Sequence, residues 1–202
     1  MDTHTSRWVG VFFLVMQFFV IIANYPFDNV NVFFWFCNHV PLLFAIAFFL
    51  KDVQVIKGII NVGFLGQLVW TIDFIVRLIF GINFLNITGY LFETDSIFQW
   101  ILVVFIHVFS TFVAFYFTYD KKPYMKSLLV SILYLILLYF FTYGFTPEEE
   151  NINWVYMIGF GLEITHPLYV LFWPFITFIV VVLPTHFIQL YAYKLSKRVS
   201  RF

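Results

Sequence analysis

The residues able to do chemistry in this chain are few, and they sit in apolar surroundings. The run VFFWFCNHVPLLFAIAFFL, Val32 to Leu50, carries no formal charge, yet it places Cys37, Asn38, His39 and Pro41 within about one helical turn. Cys37 is the single cysteine. Proline has no N–H, so within a helix Pro41 leaves the Cys37 carbonyl without its usual partner. Such polar groups are costly in hydrocarbon unless they face protein or a water-filled cavity. Cys37 reads either as a nucleophile or as a small buried filler. His39 is two residues away and faces another side of the helix, which makes it a hydrogen-bond partner for a neighbouring helix. Further along stand Gln67, Thr71, Asp73 and Arg77, then His107 with Ser110 and Thr111, then His166, Pro167 and Tyr169. Asp73 and Arg77 are four apart and share a face, so an ion pair is expected between them. His107 has no ionisable neighbour in its own segment and must find a partner on another helix.

These residues are positioned by a membrane protein. Of 202 residues, 62% are hydrophobic, 24% aromatic and 11% charged, against the roughly one quarter charged that is usual for a soluble domain. The fold class expected is all-α: a single six-helix transmembrane domain over residues 1–202, with no internal repeat. Each span approaches the roughly 20 residues needed to cross a bilayer. The spans are Trp8–Ile22, Val32–Leu50, Val53–Phe80, Ile97–Tyr119, Ser127–Tyr143 and Leu168–Tyr193. Pro174 and Pro184 should kink the last one. The N-terminal MDTHTSRW has one Arg and no small-residue cleavage site, so the apolar run after it reads as a first span. One cysteine excludes an internal disulfide and any multi-cysteine metal site.

Orientation follows from the loops. With the N-terminus inside, the cytoplasmic parts hold Arg7, Lys51, Lys57, Lys121, Lys122, Lys126, Lys194, Lys197, Arg198 and Arg201. The opposite loops hold Asp28, Glu93, Asp95, Glu148, Glu149, Glu150 and Glu163, with no Lys or Arg. Only Arg77 departs, and it lies within a span. This positive-inside pattern puts both termini in the cytoplasm of a multi-pass protein, with the cell membrane as its place. Membrane lipids are the expected partners, and nothing in the pattern points to nucleic acid. At about 1.5 Å per residue, nearly all intramembrane polar groups then fall in the outer half of the bundle, with His186 the exception near the cytoplasmic interface.

The second to fourth spans resemble the YwaF-like integral membrane proteins, which are in turn similar to the androgen-induced membrane hydrolases. The resemblance rests on Cys37-Asn38 opening an apolar helix, then Lys51, then the glycine pair of Gly63-Phe-Leu-Gly66. It continues in FIHVFSTFVAFYF with its single His107, and in Asn153 followed by HPLYVL with Pro167 and Tyr169. Trp35 and Asn38 depart from the family pattern, which more often has His and Asp there. What the resemblance implies is a six-span lipid-acyl enzyme without a cofactor: an acyltransferase or a lipid ester hydrolase. Cys37 would be the nucleophile and His107 the base, because a thiol in apolar surroundings needs an imidazole to supply its thiolate. Asn38, Gln67 or Thr71 would steady the oxyanion, and Asp73 and Arg77 would hold a headgroup or lock their helix. A carrier whose outward cavity holds a lipid or small ligand is the alternative from another class. A haem held between His39 and His107 is a third.

Overall fold

The computed structural model describes residues 2–24, 30–93, 96–158 and 164–199. The chain is all-α. Its helices are α1 (Thr3–Asn24), α2 (Phe36–Phe49), α3 (Val53–Phe80), α4 (Ile97–Tyr116), α5 (Met125–Phe145), α6 (Pro167–Thr177) and α7 (Leu183–Val199). A π turn over Phe178–Val182 joins the last two into one helical rod, next to the predicted kink sites Pro174 and Pro184. Four short 3₁₀ segments and a two-residue β pairing, Met157–Ile158 with Ile164–Thr165, make up the rest of the regular structure. Local chemistry fixes the boundaries. Asp52 caps α3 by accepting from the Gln54 and Val55 amides, and Gly81 ends that helix at φ +68°, where a Cβ is disfavoured. Ser96 caps α4 through the Gln99 amide.

Among the described residues, five helical stretches are long and apolar enough to cross a membrane: α1, α3, α4, α5 and the rod Pro167–Val199. The predicted second span differs. Val32–Leu50 is not one helix but a 3₁₀ segment, Val30–Phe34, followed by the 14 residues of α2, which rise only about 21 Å. Pro41 remains inside α2, and Gln17 of α1 bridges the turn around it. Its amide nitrogen donates to the Asn38 carbonyl at 3.0 Å and its oxygen accepts from the Leu42 N–H at 3.1 Å.

The helix α3 is the centre of the bundle and packs against α2, α4, α5 and the last rod. The main apolar core lies between α1, α2, α3 and α4, where Phe13 stacks with Phe44 and Phe48. Charges segregate to the two ends. At one end Lys126 pairs with Asp52 at 2.6 Å, Lys51 bonds Thr3, and Lys121, Lys122 and Lys197 border one shallow hollow. The Lys126 hydrogen bond holds the Asp52 carboxyl below the ordinary carboxylate value. Glu93 and Glu148–Glu150 lie at the other end, where Asn31 bonds Glu150. Asp28, Asp95, Glu163 and Arg201 fall outside the described residues.

Lys57, counted among the cytoplasmic charges, is not at the surface. It is fully buried in the second turn of α3 and donates to Gln189 Oε1 at 3.1 Å. Gln189 in turn donates to the Lys57 carbonyl and to Asn61 Oδ1, and Asn61 donates to Ser131. No carboxylate pairs with Lys57 among the described residues. His186, expected at the interface, is instead buried beside this seam, with Nδ1 unpartnered. Removing the partner of a buried cation costs more than removing the cation. Gln189→Ala should therefore lower stability in detergent by about 3–5 kcal/mol. Lys57→Met should cost only about 1–2 kcal/mol, for the amide oxygen left unpaired. Equal losses in thermal unfolding would show that Lys57 is solvated rather than held by Gln189.

Candidate functional site

The site grows from the start of α2. The segment before it is 3₁₀, so its carbonyls need partners from elsewhere. Side chains supply them. Asn38 Nδ2 donates to the Val32 carbonyl at 2.8 Å, His39 Nδ1 to that of Phe33 at 3.0 Å, and Asn153 Nδ2 to that of Phe34 at 2.8 Å. Asn153 Oδ1 also accepts from the Phe36 N–H at 2.9 Å, so one amide from a distant loop clamps both sides of the helix start. Asn153 itself sits at φ +54°, a region Asn tolerates better than most residues. With Nδ1–H donating to a carbonyl, His39 Nε2 is left to accept from Tyr134 Oη at 2.7 Å. Both nitrogens of His39 are therefore engaged, and the His39–His107 haem pair has no free ligand on this side. Gly63 completes the seat: a Cβ there would lie 1.9 Å from the Phe36 ring, while one on Gly66 would meet nothing. Gly63 is thus required by close approach and Gly66 is not.

A cavity of about 1020 Å³ opens between α2, α3, α4, α5 and the last rod. Of the residues singled out in the sequence, Cys37, Asn38, Gln67, His107 and Tyr169 line it. Its deeper walls are hydrocarbon, from residues such as Val62, Leu135, Leu138, Trp173 and Val180. The Cys37 thiol donates to Asn38 Oδ1 at 3.7 Å. His107 Nδ1 donates to the Val103 carbonyl at 2.8 Å, and its ring stacks on Trp70 at 4.1 Å. That bond fixes the tautomer and leaves Nε2 as the basic nitrogen, without a hydrogen-bond partner among the described residues. Cys37 and His107 thus share one cavity wall system but are not hydrogen-bonded to each other.

Gln67 is held firmly. Its Oε1 accepts from Ser110 Oγ at 2.8 Å, Thr111 Oγ1 at 2.6 Å and the Thr111 N–H at 3.3 Å. A backbone N–H can only donate, so the oxygen must face α4 and the amide nitrogen must face away. That nitrogen has no partner, and neither has the Trp70 indole nitrogen one turn further along. Tyr90, from the 3₁₀ segment Gly89–Phe92, also lines the cavity and is half-exposed to it. Shielding from bulk water pushes its phenol above the ordinary value, reinforced by Cys37 and opposed by the neighbouring Trp70 indole. Tyr169 donates to the Trp154 carbonyl at 2.7 Å and ties α6 to the loop that carries Asn153.

His39, Thr71, Asp73, Arg77 and His166 do not line the cavity. Thr71 donates back to the Gln67 carbonyl, and the exposed His166 caps α6 by accepting from the Leu168 N–H. The ion pair expected between Asp73 and Arg77 does not form. Asp73 is buried and spends its carboxylate on the loop beyond α3, accepting from the Leu85, Ile87 and Thr88 amides and from Thr88 Oγ1 at 2.7–3.1 Å. Four donors saturate it. Arg77 lies instead over the Phe92 ring at 4.8 Å, with one guanidinium nitrogen beside Gly89 and unpartnered. Gln17, Trp70 and Tyr90 escaped the sequence reading. A Gln in an apolar helix was the one signal available for Gln17, whereas a Trp or Tyr in a chain this aromatic carries none.

Hydrogen bonds to a charged acceptor contribute about 1.5–3 kcal/mol each. Asp73→Asn should therefore speed hydrogen exchange at Leu85, Ile87 and Thr88 by at least about tenfold, while Arg77→Gln leaves those amides as protected as before. Equal loosening by both substitutions would restore the ion pair.

In comparisons with protein-family models, with curated proteins and with solved structures, the chain matches none.

Proposed function

We propose that this is a six-span protein of the cell membrane, with both termini cytoplasmic, that admits an acyl lipid to the cavity and acts on its ester. The 3₁₀ segment and α2 together make the second crossing. The segregation of Lys and Arg to one end of the bundle supports the orientation. Cysteines introduced at Glu149 and Lys197 in a Cys37→Ser background should react with an impermeant maleimide from opposite faces of sealed, oriented vesicles. Labelling of both from one face would end the six-span assignment.

The observation that carries the enzymatic reading is the cavity itself: largely hydrocarbon, yet with the thiol of Cys37 and the fixed tautomer of His107 on its walls. Both residues occupy the places that the resemblance to YwaF-like proteins gives to nucleophile and base. In the reaction His107 Nε2 takes the thiol proton and the sulfur adds to the ester carbon. The carbonyl π pair moves to oxygen. Collapse expels the alkoxide, which takes the proton back from His107, and leaves an acyl thioester on Cys37. Water or a lipid hydroxyl then adds to the thioester carbon as His107 Nε2 takes its proton; the C–S bond breaks, and the departing Cys37 thiolate takes that proton back, giving hydrolysis or transfer. Sulfur and imidazole come into contact when substrate fills the cavity, since catalytic hydrogen bonds are often long in the empty site.

One observation favours the non-enzymatic lipid carrier: the Cys37 thiol bonds Asn38, not His107. Mutants separate the two. For the enzyme, Cys37→Ala should lower acyl turnover by at least about 10³-fold with little change in stability. His107→Ala should reach a similar floor, and the double mutant should be scarcely worse, because residues acting as a unit are not additive. Wild-type turnover in purified Cys37→Ala, with lipid binding intact, would select the carrier.

A further inference from the structure

Two buried donors stand on one face of α3, three residues apart, and both belong to residues lining the cavity: Gln67 Nε2 and Trp70 Nε1. Their residues are 3% and 5% exposed, and neither nitrogen has a hydrogen-bond partner among the described residues. An unmet buried donor is expensive, so two of them side by side call for an acceptor. Neither is free to turn away. Three donors on α4 hold the Gln67 oxygen, and the Trp70 indole is stacked between His107 at 4.1 Å and Phe74 at 5.5 Å. The Tyr90 hydroxyl stands near the Trp70 indole but makes no hydrogen bond to it in this structure, so the acceptor for the pair is assigned to what fills the cavity. Surrounding walls of Leu, Val and Phe select against a free anion, and the adjacent His107 puts the reacting centre at the same place.

We infer that the Gln67 amide and the Trp70 indole form a paired N–H seat for the carbonyl oxygen of a bound acyl lipid. The inference rests on the acyl-lipid reading above and adds to it the two residues that position the ester. The seat selects for an acyl ester over a hydrocarbon or alkyl ether of equal length, which lack that oxygen. As the sulfur adds, charge grows on the oxygen and the two hydrogen bonds strengthen, which is the property that separates catalysis from binding.

The test reads binding without turnover. Cys37→Ala protein in an ester-free maltoside detergent is mixed with methyl palmitate labelled with ¹³C at the carbonyl, and the labelled stretch is followed by infrared spectroscopy. Hydrogen bonding lowers that frequency, so a protein-dependent band should appear below that of the ester in empty micelles. Trp70→Phe keeps the ring stack and deletes the N–H. Gln67→Met keeps the side-chain length and deletes the amide donor. Each should move the band partway back and weaken ester binding about fivefold, and together they should return it to the micelle position. Tyr90→Phe should leave the shift in place. Binding of hexadecane should be unchanged in every variant. An ester that binds with an unshifted carbonyl, or a shift that survives both substitutions, would overturn the seat while leaving the lipid cavity standing. Absence of any protein-dependent ester band, with hexadecane also unbound, would remove the acyl-lipid reading and the seat with it.

Discussion

Fourteen helical residues rise about 21 Å, and the hydrocarbon core of a bilayer is about 30 Å thick. In the proposed second crossing the length α2 lacks would come from non-helical backbone, whose polar groups must then be paired by protein at that depth. The pairing by Asn38, His39 and Asn153 at successive carbonyls is the constraint on which the site depends. It explains why three polar side chains converge on an apolar stretch that carries no formal charge. It also explains why a loop 117 residues away in sequence is stapled to the helix start through the Phe36 N–H. Because α2 is short and begins low, a space is left beside α3 and α4, and Cys37 stands at its edge.

The two ends of the bundle treat polar groups differently. Towards the basic end, Lys57, Gln189, Asn61 and Ser131 satisfy one another across α3, α5 and α7. That seam holds the last rod to the central helix and leaves no space for a ligand. Beside that seam His186 Nδ1 alone is left over among the described residues, whereas towards the acidic end capacity is left over on Gln67, Trp70 and Arg77. The π turn Phe178–Val182 lies between the two regimes, with Val180 and Val181 on the cavity wall. A π turn re-registers the residues that follow it. Here it lets one rod face the cavity with apolar side chains above and face Lys57 with Gln189 below.

Five apolar membrane-length helices were legible because hydropathy needs only composition and length, and the charge segregation because both ends of the bundle obey one sign rule. What failed was partnership. Asp73 and Arg77 have the spacing of a helical ion pair, yet the loop amides at 85–88 compete for the carboxylate, and that loop's path is not written in helix periodicity. Lys57 reads as one more cytoplasmic charge because it follows Lys51 and Asp52 closely. Only the packing of α7 shows that it is roofed over. His39, by contrast, was legible as a hydrogen-bond partner for a neighbouring helix, and Tyr134 of α5 is that partner. The glycine pair was visible as a motif, but which glycine matters depends on where the Phe36 ring lies.

The proton on Cys37 decides between enzyme and carrier on physical grounds. Its hydrogen bond runs to Asn38 Oδ1, and the Asn38 amide is itself anchored through Nδ2 to the Val32 carbonyl. A neutral amide oxygen can hold that proton in a hydrogen bond but cannot remove it. A thiolate forms only if a base reaches the sulfur, and among the described residues lining the cavity His107 is the one histidine. Its basic nitrogen is already selected by the Val103 carbonyl, and its ring plane is already set by Trp70. What remains is approach. Sulfur, imidazole and the two N–H donors belong to three helices that meet around one apolar space, and under the proposed function a lipid acyl chain filling that space would draw them onto a single carbonyl.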